Sequence, residues 1–279
     1  MIWKTATRCL DLSRRAQVMG ILNTTPDSFS DGGNFTSHHT ALAHAREMIA
    51  AGAAIIDVGG ESSRPGADPV SPEEEISRTA PLICAVRAEW DGFISIDTTK
   101  AAVAREALNA GADIVNDISG LTADPEMPAL CAATSCAVVV MHMQGSPGNM
   151  QDSPSYADVT AEIRAFFEER LATLTAAGID PSRLCFDPGI GFGKTLEHNL
   201  TLLRHLPSLA PIGHPLLLGI SRKSFLSKIS DSPSPTDRDA ATIAVTALAR
   251  RQGIMLHRVH DTPGNLRALR ATENLFLEF

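Results

Sequence analysis

A basic, hydroxyl-rich segment, Ser221-Arg222-Lys223-Ser224, follows an apolar run late in the chain. We expect a helix to begin there, and the free N–H groups of a helix N-terminus favour an anion. Because alternate residues of an extended chain point the same way, Ser221 and Lys223 should share one face and Arg222 the other. The segment therefore indicates an anion site, with a solvated basic turn as the alternative.

Three further side chains could complete such a site. Arg258 and His260 end the last apolar run two residues apart, so both can face one ligand, and Asn23 ends the first run. If the first and last runs are neighbours in the fold, the neutral amide oxygen of Asn23 would lie beside this cationic pair and suit a hard cation. We predict a phosphate and Mg²⁺ there.

Hydrogen-bond acceptors end several of the intervening runs. Asp97, Asn116 and Asp187 would suit a flat polar ring with several N–H donors, such as a 2-aminopyrimidinone, and Met141 and Phe192 offer apolar faces for it. An acid at a strand end often does no more than cap the next helix. For Asp117 we expect that simpler role.

The elements that must position these side chains follow from eight short apolar runs separated by longer helical stretches. The runs are 18–22, 54–58, 93–96, 113–115, 137–141, 184–186, 215–220 and 254–259. Polar residues follow all eight, whereas an open doubly wound sheet would concentrate them at one switch point. We therefore predict an α/β protein with a (β/α)8 TIM barrel as one domain over 1–279, and a doubly wound sheet is the alternative.

Local signals agree with that alternation. Gly52 and Gly111 lie at the same position in two similar segments, 51–57 and 110–116. Each glycine is expected to end a helix that leads into a strand. Ser71 followed by Pro72 and Glu74 has the pattern of a helix start.

Two glycine-containing loops have distinct interpretations. The segment 23–33 is too long for an ordinary strand-to-helix connection, so a mobile active-site loop is expected rather than a passive linker. The segment 188–195 ends in Gly-Lys-Thr, but Pro188 stands where a phosphate-binding Walker loop needs glycine. We expect its glycines to let the backbone bend closely around Asp187 and Phe192.

Composition narrows the function classes. With 279 residues, a net charge of −8 and 44% hydrophobic residues, the chain suits a globular protein rather than a nucleic-acid or anionic-membrane binder. No apolar run is long enough to span a membrane, and no secretory segment is evident, so a cytoplasmic location is expected. The five cysteines are odd in number and are expected to be buried, reduced thiols.

Taken together, these motifs resemble the dihydropteroate synthase family from the first predicted strand to the last. The segments that carry the resemblance are 19–23, 25–30, 61–66, 95–98, 116–120, 141–145, 187–189, 221–224 and 258–261. One departure is Ser63, where the family usually has threonine, and the hydroxyl is retained.

The resemblance implies a transferase of folate synthesis and a target of sulfonamides. The reaction would join 6-hydroxymethyl-7,8-dihydropterin diphosphate to 4-aminobenzoate, giving 7,8-dihydropteroate and pyrophosphate, with Mg²⁺ as cofactor and a homodimer as the assembly. The alternatives are a methyltetrahydrofolate-dependent methyltransferase and a non-catalytic pterin-binding paralogue.

The resemblance also implies roles for individual residues. The pterin would contact Asp97, Asn116, Met141, Asp187, Phe192, Lys223 and Arg258. The diphosphate would contact Asn23, Ser63, Arg258 and His260, with Asn23 also holding the metal. The aminobenzoate would contact Phe29, Arg64, Pro65, Phe192 and Ser224, and the catalytic set would be Asp97, Lys223, Arg258 and His260.

Overall fold

Eight parallel strands form the central sheet of the computed structural model, which describes residues 1–5, 7–24, 34–63, 66–231 and 234–276. They are β3 (Gln17–Asn23), β4 (Ile55–Gly59), β5 (Phe93–Asp97), β6 (Ile114–Asp117), β7 (Ala137–Met141), β8 (Leu184–Asp187), β9 (Leu217–Gly219) and β10 (Leu256–Val259). Consecutive strands pair from β3 to β8, β10 pairs with both β3 and β9, and a bridge between Phe186 and Leu216 closes the ring. The predicted barrel is confirmed. The doubly wound alternative is wrong because β3 and β10, the first and last strands of this sheet, are neighbours.

Helices follow the strands around the barrel. They are α1 (Asn34–Ala50), α2 (Pro72–Glu89), α3 (Ala101–Asn109), α4 (Met127–Thr134), α5 (Val159–Ala176), α6 (Leu196–Arg204), α7 (Ser224–Ser230), α8 (Arg238–Arg251) and α9 (Thr262–Phe276). The helix-start pattern is confirmed at α2, where the Ser71 side chain accepts from the backbone N–H of Glu74. Gly52 and Gly111 both adopt positive φ after a helix, as the two similar segments predicted.

The lower part of the barrel interior is apolar. Inward side chains of the strands, among them Met19, Ile55 and Ile114, pack with Trp3 and Leu10. The last two belong to an antiparallel hairpin of β1 (Ile2–Lys4) and β2 (Cys9–Asp11), which the sequence analysis did not predict. The Trp3 indole N–H donates to the carbonyl of Arg183 at 2.8 Å, so the hairpin is fixed under the barrel.

Strand alternation places a polar layer directly above this apolar one. Asp57 lies two residues beyond Ile55, Asn116 two beyond Ile114, and Arg258 two beyond Leu256, so each points into the same interior. The charged layer is therefore at the carboxyl ends of the strands, where barrel active sites lie.

The cysteines only partly match the expectation. All five are free thiols, and Cys131, Cys136 and Cys185 are buried, but Cys9 and Cys84 are exposed. The prediction of buried thiols is wrong for those two because Cys9 lies on the outward side of the hairpin and Cys84 on the outer surface of α2. Within the described ranges, no helix is long and apolar enough to cross a membrane.

Candidate active site

Arg258 is the centre of the charge network at the barrel mouth. Its Nε donates to Oδ2 of Asp57 at 2.6 Å, and its Nη2 donates to Oδ2 of Asp97 at 2.6 Å. The amide of Asn116 donates to the same oxygen of Asp57 at 3.2 Å. One guanidinium thus joins strands β10, β4 and β5, and Asp57 links them to β6.

Burial and charge set the protonation behaviour of this network. Burial raises the pKa of Asp97 to about 7, although the positive charge of Arg258 opposes that shift. Burial also opposes the charge of Arg258, but the carboxylates of Asp57 and Asp97 outweigh it and hold its pKa above the ordinary value. The mouth therefore presents a permanent cation beside a carboxyl group that titrates near neutrality.

Asp187 and Lys223 form a second pair of opposite charges across the mouth. Oδ1 of Asp187 accepts the backbone N–H of Gly189 at 2.7 Å, and burial raises the pKa of this carboxyl. The Lys223 ammonium donates to the carbonyl of Ile190, and it lies 4.0 Å from the centre of the Phe192 ring. Burial lowers the pKa of Lys223 to about 7, with the charge of Asp187 opposing the shift.

His260 and Ser221 bring strands β9 and β10 together. The Ser221 hydroxyl lies 3.0 Å from Nδ1 of His260 and accepts the backbone N–H of that residue at 3.1 Å. Arg222 donates two hydrogen bonds of 2.8 Å to Asp239, and it lines the same cavity as His260. The segment is a turn in which Arg222 has φ of 58°, so the alternation of an extended chain, on which the predicted division of faces was based, does not apply.

The remaining predicted ligands are distributed around this centre. Asn23 lies at the end of β3, and a Cβ placed on Gly59 would be 3.5 Å from its Oδ1 and 3.7 Å from Cβ of Asp97. Met141 is buried at the end of β7, Ser63 is half-buried after β4, and Ser224 is exposed at the start of α7. Phe29, Arg64 and Pro65 lie outside the described residues.

The described donor set fits Mg²⁺ only together with a phosphorylated ligand. Asn23 offers one amide oxygen near the mouth, while no three His, Cys, Asp or Glu side chains in the described ranges converge as a metal site. Mg²⁺ commonly takes one or two protein oxygens and completes its shell with substrate phosphate and water. Asn23 is therefore an adequate protein ligand for a metal that arrives with a diphosphate.

Two structural details differ from the sequence analysis. Asp117 does not cap a helix: its Oδ1 accepts the backbone N–H and the hydroxyl of Ser119 at 2.7 and 2.6 Å, well before α4 begins. Asp57 was not among the predicted site residues, yet its side chain is fully buried and one of its oxygens, Oδ1, has no hydrogen-bond partner among the described residues. Asp57 is one of the polar residues that the sequence places at the strand ends, but it received no role there, and strand alternation is the signal that it points into the barrel.

The loop after β4 is fixed at its base by a separate ion cluster. The Lys100 ammonium lies 2.6 Å from Glu61 and 2.6 Å from the buried Glu75. The other oxygen of Glu61 accepts the backbone N–H of Val70 at 2.9 Å. Residues 61 and 70 are thereby held together on either side of the segment that contains Ser63.

Known proteins are similar to this chain over most of its length. A family model described as "Pterin binding enzyme" matches residues 19–260. The dihydropteroate synthase of Synechocystis sp. is 52% identical over 251 residues, covering 90% of this chain and 87% of that protein. That of Escherichia coli K12 is 46% identical over 264 residues, covering 95% and 93%. The chain belongs to the dihydropteroate synthase family.

Solved structures of this family share the fold. The Yersinia pestis dihydropteroate synthase with a sulfonamide drug complex has a TM-score of 0.92 and 45% identity, covering 98% of each chain. The Xanthomonas albilineans dihydropteroate synthase in complex with 7,8-dihydropteroate has a TM-score of 0.88 and 36% identity, covering 100% of this chain and 99% of that one. Membership favours the synthase over the methyltransferase and the non-catalytic paralogue.

Proposed function

We propose that this chain condenses 6-hydroxymethyl-7,8-dihydropterin diphosphate with 4-aminobenzoate, giving 7,8-dihydropteroate and pyrophosphate in folate biosynthesis. The observation that carries the proposal is the arrangement of opposite charges at one barrel mouth. Carboxylates of Asp57, Asp97 and Asp187 lie among the cationic groups of Lys223 and Arg258, with His260 on the adjoining turn.

The pterin ring would occupy the acceptor-rich side of the mouth. Asp187 would accept the 2-amino and ring N–H groups, and Asn116 and Asp97 would contact the opposite edge of the ring. Lys223 would donate to the ring carbonyl, and its ammonium lies 4.0 Å from the centre of the Phe192 ring that would cover one face of the pterin. Met141, Phe192 and the planar guanidinium of Arg258 would cover the faces of the ring.

The diphosphate would extend toward His260 and Arg258, with the Ser63 hydroxyl and Asn23 on the neighbouring strand ends. When bound, Mg²⁺ would neutralise part of the diphosphate charge, with Asn23 as its protein ligand. The aminobenzoate would lie near Phe192 and Ser224, together with Phe29, Arg64 and Pro65.

Fixed charges explain how these residues would promote the reaction. Cleavage of the C–O bond at the pterin methylene leaves a cation delocalised into the ring, while pyrophosphate gains negative charge. Asp97 would stabilise the cation, and Arg258 and His260 the leaving group. An aniline nitrogen is already nucleophilic, so the protein needs to orient it and exclude water rather than remove a proton first.

An activity assay with purified protein tests the proposal. Pyrophosphate and 7,8-dihydropteroate should form in equal amounts when the pterin diphosphate, 4-aminobenzoate and Mg²⁺ are all present. Omitting Mg²⁺ or adding a chelator should reduce the rate strongly. Methyl transfer from methyltetrahydrofolate, or tight pterin binding without turnover, would contradict the synthase assignment.

Assembly and location belong to the same proposal. A homodimer through α7 and α8 is supported by the exposed apolar side chains of Ile229 and Leu248 on these helices. A cytoplasmic location is supported by the five free thiols, which suit a reducing compartment. Sedimentation at micromolar concentration should show a dimer, and Leu248→Glu should shift it toward monomer.

A further inference from the structure

The loop 189–193 contacts Asp187 and Lys223 at the barrel mouth, and side chains hold its backbone from several directions. Four successive carbonyls each accept a side-chain donor. They are those of Ile190 from Lys223, Gly191 from Gln151, Phe192 from Lys194, and Gly193 from Tyr156. This density of side-chain support indicates that the position of the loop matters to the site beneath it.

The loop also packs against the segment that follows β7. At two positions the backbones are too close for any residue larger than glycine. A Cβ on Gly189 would lie 2.0 Å from the carbonyl oxygen of His142, and one on Gly193 would lie 2.4 Å from that of Gln144. Both glycines have positive φ, of 62° and 60°. Segment 142–144 is therefore the support on which the loop lies.

Lys194 links the loop to that support. Its Nζ donates to the carbonyl of Phe192 at 2.9 Å and to that of His142 at 3.3 Å, and it lies 3.1 Å from Nδ1 of His142. The residue is 3% exposed, and no carboxylate forms an ion pair with it in the described part of the chain. Burial and the charge of Lys223 lower the pKa of Lys194 well below its ordinary value.

His142 is fitted to accept from this amine. Its ring is buried against the edge of Phe166, with the ring centres 4.9 Å apart, and burial lowers its pKa to about 3. A neutral imidazole has one nitrogen free to accept a hydrogen bond. The acceptor is therefore fixed in place and uncharged.

Burying an amine without a carboxylate partner is unfavourable for folding. The Lys194 amine instead bridges His142 and the carbonyl of Phe192, whose ring lies against the Lys223 ammonium. We propose that Lys194, supported by His142, is a positioning residue that fixes Phe192 and Lys223 for the condensation. The inference rests on the proposed function, since Phe192 is there assigned to both substrates and Lys223 to the pterin.

Lys194→Met tests the idea because methionine has a similar length but cannot donate. We expect kcat/KM for 4-aminobenzoate to fall at least about tenfold while the melting temperature is unchanged or higher, since a buried amine is removed. Gln252→Met is the matched control: it removes a side-chain donor to the carbonyl of Leu203, remote from the mouth, and should leave kcat/KM unchanged. Lys194→Gln, which keeps an N–H donor, should retain more activity than Lys194→Met.

A double-mutant cycle distinguishes positioning from a general structural role. If Lys194 acts through Phe192, adding Lys194→Met to Phe192→Ala should change kcat/KM by less than about twofold. The inference would be overturned if Lys194→Met lowered kcat/KM as much in Phe192→Ala as in the wild type. It would also be overturned if the loss of kcat/KM were accompanied by a lower melting temperature.

A crystal structure provides a readout that does not depend on turnover. In Lys194→Met the Phe192 ring should move away from Lys223, and an unmoved loop would also overturn the inference. A wild-type protein that releases no pyrophosphate would instead contradict the proposed function, and the crystallographic comparison would still decide the role of Lys194.

Discussion

At the scale of single residues, the site is organised by shared acceptors. Oδ2 of Asp57 receives both Arg258 and Asn116, so one buried oxygen orients a cation and an amide from opposite sides of the barrel. Removing a partner from such a group leaves a buried charge unpaired, which costs several kcal/mol. A single substitution that removes Arg258 while Asp57 remains should therefore destabilise the fold.

Asp187 tests the assignment of the ring site. Asp187→Ala removes a carboxylate that we expect to accept two N–H donors of the pterin, a charge-assisted interaction of about 1.5–3 kcal/mol. The Kd of the pterin should rise roughly 10- to 150-fold. Calorimetry on the folded variant measures this, and an unchanged Kd would place the ring elsewhere.

Asp97 tests the charge development in the reaction. Asp97→Asn keeps the size and one acceptor but removes the negative charge that should stabilise the pterin cation more than the neutral ring. We expect kcat to fall far more than the affinity for unreacted pterin diphosphate. Single-turnover pyrophosphate release measures the chemical rate. If Asp97→Asn lowered this rate no more than it lowered the affinity for pterin diphosphate, Asp97 would only contact the ring and would not stabilise the cation.

At the scale of elements, the barrel strands could be predicted because each is a short apolar run before a polar end. The β1–β2 hairpin could not, since its strands have three residues each and bury little more than Trp3 and Leu10. Strand-end residues such as Asn116 and Arg258 were found for the same reason as the strands. The role of Asp57 could not be predicted because it depends on the closed sheet, which sets this residue beside Arg258.

Strand β10 also carries a buried histidine that links stability to pH. Burial lowers the pKa of His257 to about 4, below the roughly 6.5 of an unfolded chain. Between these values the unfolded chain takes up a proton and the folded one does not, so stability falls as the pH falls. In His257→Gln, the free energy of unfolding should therefore fall less steeply as the pH falls, by up to about 1.4 kcal/mol per pH unit.

Urea unfolding at pH 7, 6 and 5 measures that difference. His39→Gln, at an exposed position on α1, is the control and should keep the wild-type dependence. Equal pH dependence in wild-type protein and His257→Gln would contradict the burial argument.

At the scale of the whole molecule, an acidic protein concentrates cationic groups in one place. The net charge is −8, yet Arg258, Lys223 and His260 all lie at the carboxyl end of the barrel, and the apolar hairpin layer fills the other end. A diphosphate would therefore be held by direct contacts with Arg258 and His260 rather than attracted by the overall charge of the chain. The same closed sheet brings the carboxylates that we propose for the ring and the cations that we propose for the leaving group within one opening.

A crystal structure of the protein soaked with pterin diphosphate and Mg²⁺ tests this account most directly. The account predicts the ring against Asp97, Asn116 and Asp187, with the diphosphate directed to Arg258 and His260 and the metal at Asn23. A ligand bound outside the barrel mouth, or a diphosphate directed away from Arg258 and His260, would contradict it.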